Sequence, residues 1–393
     1  MRYLLPSLST AEPVHLSFII LGAILVYVIL MDAFETVVLP RRVSRSFRIT
    51  RTFYRLTWRP WAWIGKLIRS ERRRENFLSY FGPLSLILLL ATWAFCLILG
   101  FASIQYGAGK GVRLDTESID FPHLIYLSGT SFFTLGLGDI RPVTELARAM
   151  VVLEAGLGFG FLALVIGYLP VIYNSFSSRE REISLLDSRA GSPPTASELL
   201  TRCANCFDQP VLDDFLRDWE RWSAELLESH ISYPVLCYYR SQHTNQSWLG
   251  ALTTILDASA LIMVGLEGLG AQQARHTFAM TRHAVVDLAQ ILNTPPDPGA
   301  NRLPKDDLAE LRAILARAGR HVKDGDDVLR ELNRLRRMYE PYVVALARRL
   351  LITLPPWVGP VRPKDNWQSS AWDKMLAKQE EAPSRAVVRD GHF

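Results

Sequence analysis

The chain has 393 residues, room for two or three domains, and 49% of them are hydrophobic with a mean hydropathy of +0.10, which is high for a wholly soluble protein. The net charge of +5 is concentrated: residues 41–76 hold twelve Arg or Lys against two Glu, so the rest of the chain is acidic overall and no nucleic-acid partner is expected. Four cysteines, Cys96, Cys203, Cys206 and Cys237, give no framework for a disulfide-stapled secreted domain, and the Cys203/Cys206 pair lacks the further ligands of a zinc set.

The first apolar run, residues 14–31 and continuing toward 39, is long enough to span a bilayer. It lacks a basic flank and a small-residue cleavage site, so it reads as a retained span and not a signal peptide. Next comes the basic segment, 40–76. Arg42, Arg45, Arg48 and Arg51 recur at every third residue, as in a voltage-sensing helix, but Ser44, Ser46 and Thr50 are too polar for a span and only one span precedes them. The favoured reading is an amphipathic helix in the headgroup region. Phe47, Phe53, Tyr54, Trp58, Trp61 and Trp63 would lie at the interface and the arginines on anionic lipid. The positive-inside rule then makes this segment cytoplasmic and the amino terminus external. Asp32 and Glu35 are expected to pair with nearby bases such as Arg41 and Arg42.

A second span covers residues 77–106 and a third residues 147–171, where Glu154 is the one interior charge. Between them lies HLIYLSGTSFFTLGLGDIRP, residues 123–142. Residues 123–133 can form a helix half a membrane thick, and a glycine loop after it is tolerated at that depth only when buried in protein or lining a water-filled path. Gly136 and Gly138 permit torsions that turn successive carbonyls toward one axis, where a ring of them replaces the water shell of a cation.

TLGLGDIRP resembles the pore loop of tetrameric potassium channels, whose filter usually reads TVGYGD with Pro a few residues on. Thr134, Gly136, Gly138, Asp139 and Pro142 fall on matching positions between two spans, Arg148 matches an Arg at the start of the inner helix, and Gly158 falls on the gating-hinge position. The resemblance covers residues 77–171. It implies stacked K+ sites on the carbonyls of Thr134, Leu135, Gly136, Leu137 and Gly138, with Asp139 at the outer mouth and a homotetramer closing the ring. No cofactor is implied beyond the permeant ion. Leu137 replaces the usual aromatic brace, leaving apolar packing against Tyr126 or Leu127, and Thr130 stands where relatives carry an acid or an apolar residue; selectivity for K+ over Na+ is the exposed part of the implication.

Glu154, Gly158 and Pro170 are the gating candidates. Two readings of Glu154 stand: a charged group beneath or behind the filter that couples gating to pH, and a neutral, hydrogen-bonded packing residue behind the pore helix. Pro170 is expected to kink or end the helix.

From residue 175 the composition becomes that of a soluble region. Helices are expected at 197–205, 209–231, 245–268, 271–293, 305–320 and 325–352, with a turn at 189–197 capped by Thr195 or Ser197. Residues 250–266 read as the buried helix of a bundle, with a fourth span as the alternative. No GxGxxG after a strand, P-loop, HExxH or GxSxG occurs, so no enzyme is expected. The expected architecture is an all-α membrane protein in five parts: an amino-terminal span (1–39), a basic linker (40–76), a pore domain (77–174), a helical cytoplasmic domain (175–363) and a flexible tail (364–393). It places a potassium-selective homotetrameric channel in the cell's inner membrane, with anionic lipids and an unknown cytoplasmic partner around it. The alternatives are a weakly selective cation channel and a non-conducting membrane-anchored helical sensor or adaptor.

Overall fold

The computed structural model describes residues 15–39, 49–109, 111–114, 119–206, 209–243, 245–266, 269–359 and 372. Arg42, Arg45, Arg48 and the tail expected from residue 364, Trp372 apart, lie outside these, as do the side chains of Cys203 and Cys206. The chain divides into two compact units. Residues 1–177 with 228–240 form the first, and residues 178–227 with 241–393 the second.

The first unit is built on α1 (Leu16–Ala33), α2 (Ile49–Leu67), α3 (Glu71–Ser79), α4 (Phe81–Ala108), α5 (Phe121–Phe132) and the start of α6 (Glu145–Ala190), with strands β1 (Val112–Leu114) and β2 (Ile140–Pro142). Helix α1 lies along α4 at three glycine contacts. A Cβ on Gly22 would run into the Gly100 backbone, one on Gly100 into Val26, and one on Gly107 into the backbone at His15. Small residues let helix backbones approach closely in a bilayer, where dispersion and not hydrophobicity drives packing.

At its other end α1 passes into a π-helical turn, Phe34–Val38. Just before it, the buried Asp32 accepts from the Thr50 amide at 3.1 Å, the Thr50 hydroxyl at 2.6 Å and the Trp93 indole at 3.0 Å. One carboxyl group thus joins α1, α2 and α4, and burial of its oxygens is offset by three hydrogen bonds. These are its donors among the described residues; the expected bases Arg41 and Arg42 lie outside them.

Helix α2 corrects the expectation that Tyr54 and Trp58 face lipid, while Trp63 stays exposed. Tyr54 and Trp58 are buried, because a turn returning from far along the chain covers them: Pro234–Tyr238 places Tyr238 in a stack on Tyr54 at 5.6 Å, and Trp58 meets both Tyr238 and Phe81. Trp61 stacks on Phe77 at 4.5 Å. The Tyr239 ring lies over Gly82, where a Cβ would come within 2.6 Å of it, and Arg240 pairs with Glu75. Tyr233 meets Tyr168, and Tyr239 meets Phe176, both on α6.

Helix α6 has 46 residues, about 70 Å at 1.5 Å per residue, more than twice the hydrocarbon thickness of a bilayer. It passes Pro170 and residue 175 without ending. One proline removes a single backbone hydrogen bond, and the helix-favouring SREREISLL continues the run.

Among its described residues the second unit is all helical apart from a single β-bridge: the end of α6, then α7 (Ala196–Cys206), α8 (Gln209–Ser232, its last residues in the first unit), α9 (Trp248–Gly265), α10 (Gln272–Ile291), α11 (Lys305–Arg317), α12 (Asp326–Arg337) and α13 (Glu340–Leu350). Thr195 caps α7, accepting from the Glu198 amide, and Ser197 instead accepts from Gly359. The helix expected over 325–352 is two, because Pro341 in the first turn of α13 has no N–H to give the preceding turn and starts a new helix there.

Four described helices are long and apolar enough to cross a membrane: Leu16–Val38, Glu71–Ala108, Glu145–Ala190 and Trp248–Gly265. The last, α9, is enclosed by α7, α10, α12 and α13, with nearly every side chain buried. Its apolar run is the centre of the bundle. Its one acid, Asp257, is met by Arg302 at 3.0 and 2.9 Å and by the Tyr339 hydroxyl at 2.5 Å. The other three candidates expose most or nearly half of their apolar windows.

Candidate functional site

The site is the loop between α5 and β2. Helix α5 begins after Asp120, whose amide donates to His123 Nδ1 at 3.3 Å, with Pro122 in the first turn where its missing N–H costs nothing. Its twelve residues make about 18 Å of helix. Beyond the loop, β2 pairs antiparallel with β1, Val112 opposite Pro142 and Leu114 opposite Ile140. Val112 and Ile140 insert with Ala102, Leu124 and Leu127 into a small core shared with α4 and α5. Both ends of the loop are therefore fixed to packed elements.

Within the loop φ alternates in sign. Thr134 (57°), Gly136 (55°) and Gly138 (78°) are left-handed, and Leu135 and Leu137 between them are not. Such alternation turns successive peptide units the same way, carbonyls to one side and amides to the other. The amides of Leu135 and Gly136 reach back to one acceptor, the Thr130 carbonyl, at 2.7 and 3.4 Å, while the Thr134 amide reaches Ser131 at 3.0 Å. With the amides tied to the end of α5, the carbonyls are directed away from it. The carboxyl end of a helix also carries partial negative charge, so the place the loop faces favours a cation.

In one chain the loop is open: Leu135 and Leu137 are each 63% exposed. Leu137, expected to pack on Tyr126 or Leu127, is thus mostly exposed in the single chain, while Leu127 belongs to the small core. The Tyr126 phenol lies near the Asp139 carboxylate, which accepts from the Ile140 amide at 3.0 Å. Arg141 Nε donates to the Gly138 carbonyl at 2.9 Å, and Arg148 pairs with Glu145 at 3.0 Å.

Behind α5 lies α6. Glu154 is fully buried and takes a short hydrogen bond from Ser128 Oγ, which also lies 2.9 Å from the Ile98 carbonyl of α4. Its second oxygen is buried without a partner among the described residues. Four residues on, Gly158 meets the last turn of α5; an added Cβ would overlap the Phe132 carbonyl. Glu154 and Gly158 are thus brought together against α5, whereas Pro170 lies further along α6 with its side chain exposed. Arg51 is exposed on α2. Sequence reasoning missed Ser128 and Arg141 and gave Tyr126 a different task. Ser128 and Glu154 are 26 residues apart, on helices whose crossing no periodicity specifies.

Among the described residues no group of His, Cys, Asp and Glu is arranged to hold a metal ion. Residues 86–173 match the model of a family described as "Ion channel". The chain is 24% identical over 209 residues to an uncharacterized membrane protein, YdjJ, of Bacillus subtilis (strain 168). That match covers 52% of this chain and 60% of the relative's length. No solved structure matches. The motif, the loop geometry and the family match fall on the same stretch: residues 86–173 are similar to an ion-channel family, and the chain that carries them is a membrane protein.

Proposed function

We propose that four copies of the chain assemble into a potassium-selective channel in the cell's inner membrane, conducting passively down the electrochemical gradient with no covalent chemistry. The observation that carries this reading is the alternating backbone of Thr134 to Gly138: the amides of Thr134, Leu135 and Gly136 are bound to α5, which leaves the carbonyls ahead of Gly138 to replace the hydration shell of K+. One loop cannot encircle an ion, and fourfold closure supplies the ring. The bare face of α6 supports assembly, with Val152, Leu153, Phe159, Leu162 and Ile166 all more than half exposed. Asp139 adds negative charge at the outer mouth. The amino terminus is external, and the helical region after the third span is cytoplasmic, where it regulates or tethers the pore through its own partner. Glu154, Gly158 and Pro170 are the gating positions, with Glu154 coupling gating through its bond to the pore helix.

The test is K+ flux from the purified full-length protein in liposomes, alongside its mass in detergent. Tetramers that pass K+ support the reading; intact tetramers that pass none leave a membrane-anchored helical adaptor or sensor. A second reading, a weakly selective cation channel, is favoured by the unbraced Leu137 and by the guanidinium on the Gly138 carbonyl. A reversal potential unmoved by replacing K+ with Na+ establishes it, and Leu137→Tyr is then expected to sharpen selectivity.

A further inference from the structure

We propose that the outward side of α2 is a docking surface for an anionic lipid leaflet, with a row of phosphate-binding bases beside a row of apolar anchors. The inference rests on the membrane-spanning reading of α1 and α4 and not on conduction. Three stripes run along α2. Thr50, Tyr54, Trp58 and Gly65 form the buried one, turned onto the protein. The exposed Arg51, Arg55, Arg59 and Lys66 fall within about 80° of arc at 100° per residue. Leu56, Trp63 and Leu67, each more than 60% exposed, form the third stripe beside the bases.

A soluble helix hides its apolar residues and spreads its charges; α2 has already buried one face and still presents two leucines and a tryptophan. The segment contains no acid, and none of the four bases pairs with a described carboxylate. Position decides the occupant. Asp32, at the end of the α1 span, holds Thr50 at the start of α2, while Trp58 and Trp61 at its middle pack on Phe81 at the start of the α4 span. A helix fastened to the same ends of two spans lies at the level of the headgroups, where apolar side chains enter the acyl boundary and bases meet phosphate. Arg69, Arg72 and Arg73, also exposed, extend the basic row beyond α2. The row extends the one the sequence put forward through Arg55, Arg59 and Lys66; of the expected anchors Trp63 is exposed and is joined by Leu56 and Leu67, while Tyr54 and Trp58 are buried.

The full-length protein, purified in micelles containing equal phosphatidylglycerol and phosphatidylcholine, can be weighed intact with its retained lipids. Wild type is expected to retain phosphatidylglycerol in preference, and Arg55→Gln/Arg59→Gln/Lys66→Gln to lose that preference at least about tenfold, since each base near an anionic surface contributes roughly a factor of five. A control, Arg217→Gln/Arg221→Gln/Arg330→Gln, removes three exposed bases from the second unit and is expected to leave the preference unchanged. Equal preference in wild type and the α2 variant, equal loss in the control, or co-purifying nucleic acid in place of lipid overturns the proposal. Circular dichroism and a single elution peak confirm that the variants fold, and the readout is independent of whether the protein conducts.

Discussion

Replacing Gly158 with Val is expected to abolish cation flux and to lower the thermal stability of the first unit at the same time. The backbone of α6 touches the last carbonyl of α5 there, so even the first carbon of a side chain overlaps it. Overpacking in a closed core costs about 1–3 kcal/mol and is relieved by moving backbone. The backbone free to move is the end of α5, which supplies the Thr130 and Ser131 carbonyls that order the loop. Glu154, one turn away, would lose its bond to Ser128 in the same displacement. If Gly158 serves only as a hinge, the variant keeps its melting temperature and loses flux alone; if the close contact matters, both fall. Gly160→Ala is the companion control, since no described residue outside its own stretch of helix lies within 4 Å of where its Cβ would be. Liposome flux and a melting curve on each variant separate the cases.

Removing Arg302 is expected to have the larger effect on the second unit. Asp257 is 1% exposed at its side chain in the centre of α9, and Arg302 meets both of its oxygens while reaching the Pro355 carbonyl at 2.6 Å. Arg302 also sits near the Trp357 ring with Arg336, which pairs with Glu340 at 2.9 Å, and the Trp357 indole donates to the same Glu340. Cutting one partner from a buried ion pair costs about 3–5 kcal/mol because the other charge stays buried. Arg302→Met should lower the second unit's unfolding free energy by that amount and release the segment around Trp357. Burial pushes the Asp257 carboxyl up to about 6 even with Arg302 pulling it down. A folded-state value above the unfolded one means the native state binds the proton more tightly, so stability rises as pH falls through 6 toward 4. In Arg302→Met, where the downward pull is gone, the gain on acidification should exceed that of wild type. Chemical denaturation at pH 7.5 and pH 5.5 checks the sign, and a variant as stable as wild type at pH 7.5 contradicts the account.

The membrane part was legible in the sequence because its signals are local. Length and hydropathy marked the spans, and two glycines in TLGLGD marked a backbone that needs positive φ. Left-handed Thr134 was not legible: a β-branched residue there is paid for by the hydrogen bonds around it, which no local pattern records. The helical half was legible as helices and not as boundaries, since Pro341 divides what periodicity joins. Hydropathy alone left α9 open between span and core, because a helix buried on all sides and one surrounded by lipid have the same composition. Tyr54 and Trp58 read as lipid-facing because their cover, Tyr238, lies about 180 residues away in the chain.

Residues 228–240, which lie within the first unit, bear on how the chain can be divided. A pore-and-cytosol protein with one junction could be shortened or exchanged as a cassette by a cut after residue 177. Here that cut would strip Tyr233, Tyr238 and Tyr239 from the α2, α4 and α6 surfaces they cover. A fragment ending at residue 177 is therefore expected to aggregate, and one supplied with 228–240 through a short tether to stay monodisperse, as size-exclusion chromatography would report. Exchanging the helical half needs three splice points, after residues 177, 227 and 240, so recombination would have to transfer it partly as an insertion (178–227) and partly as an appendix (241–393).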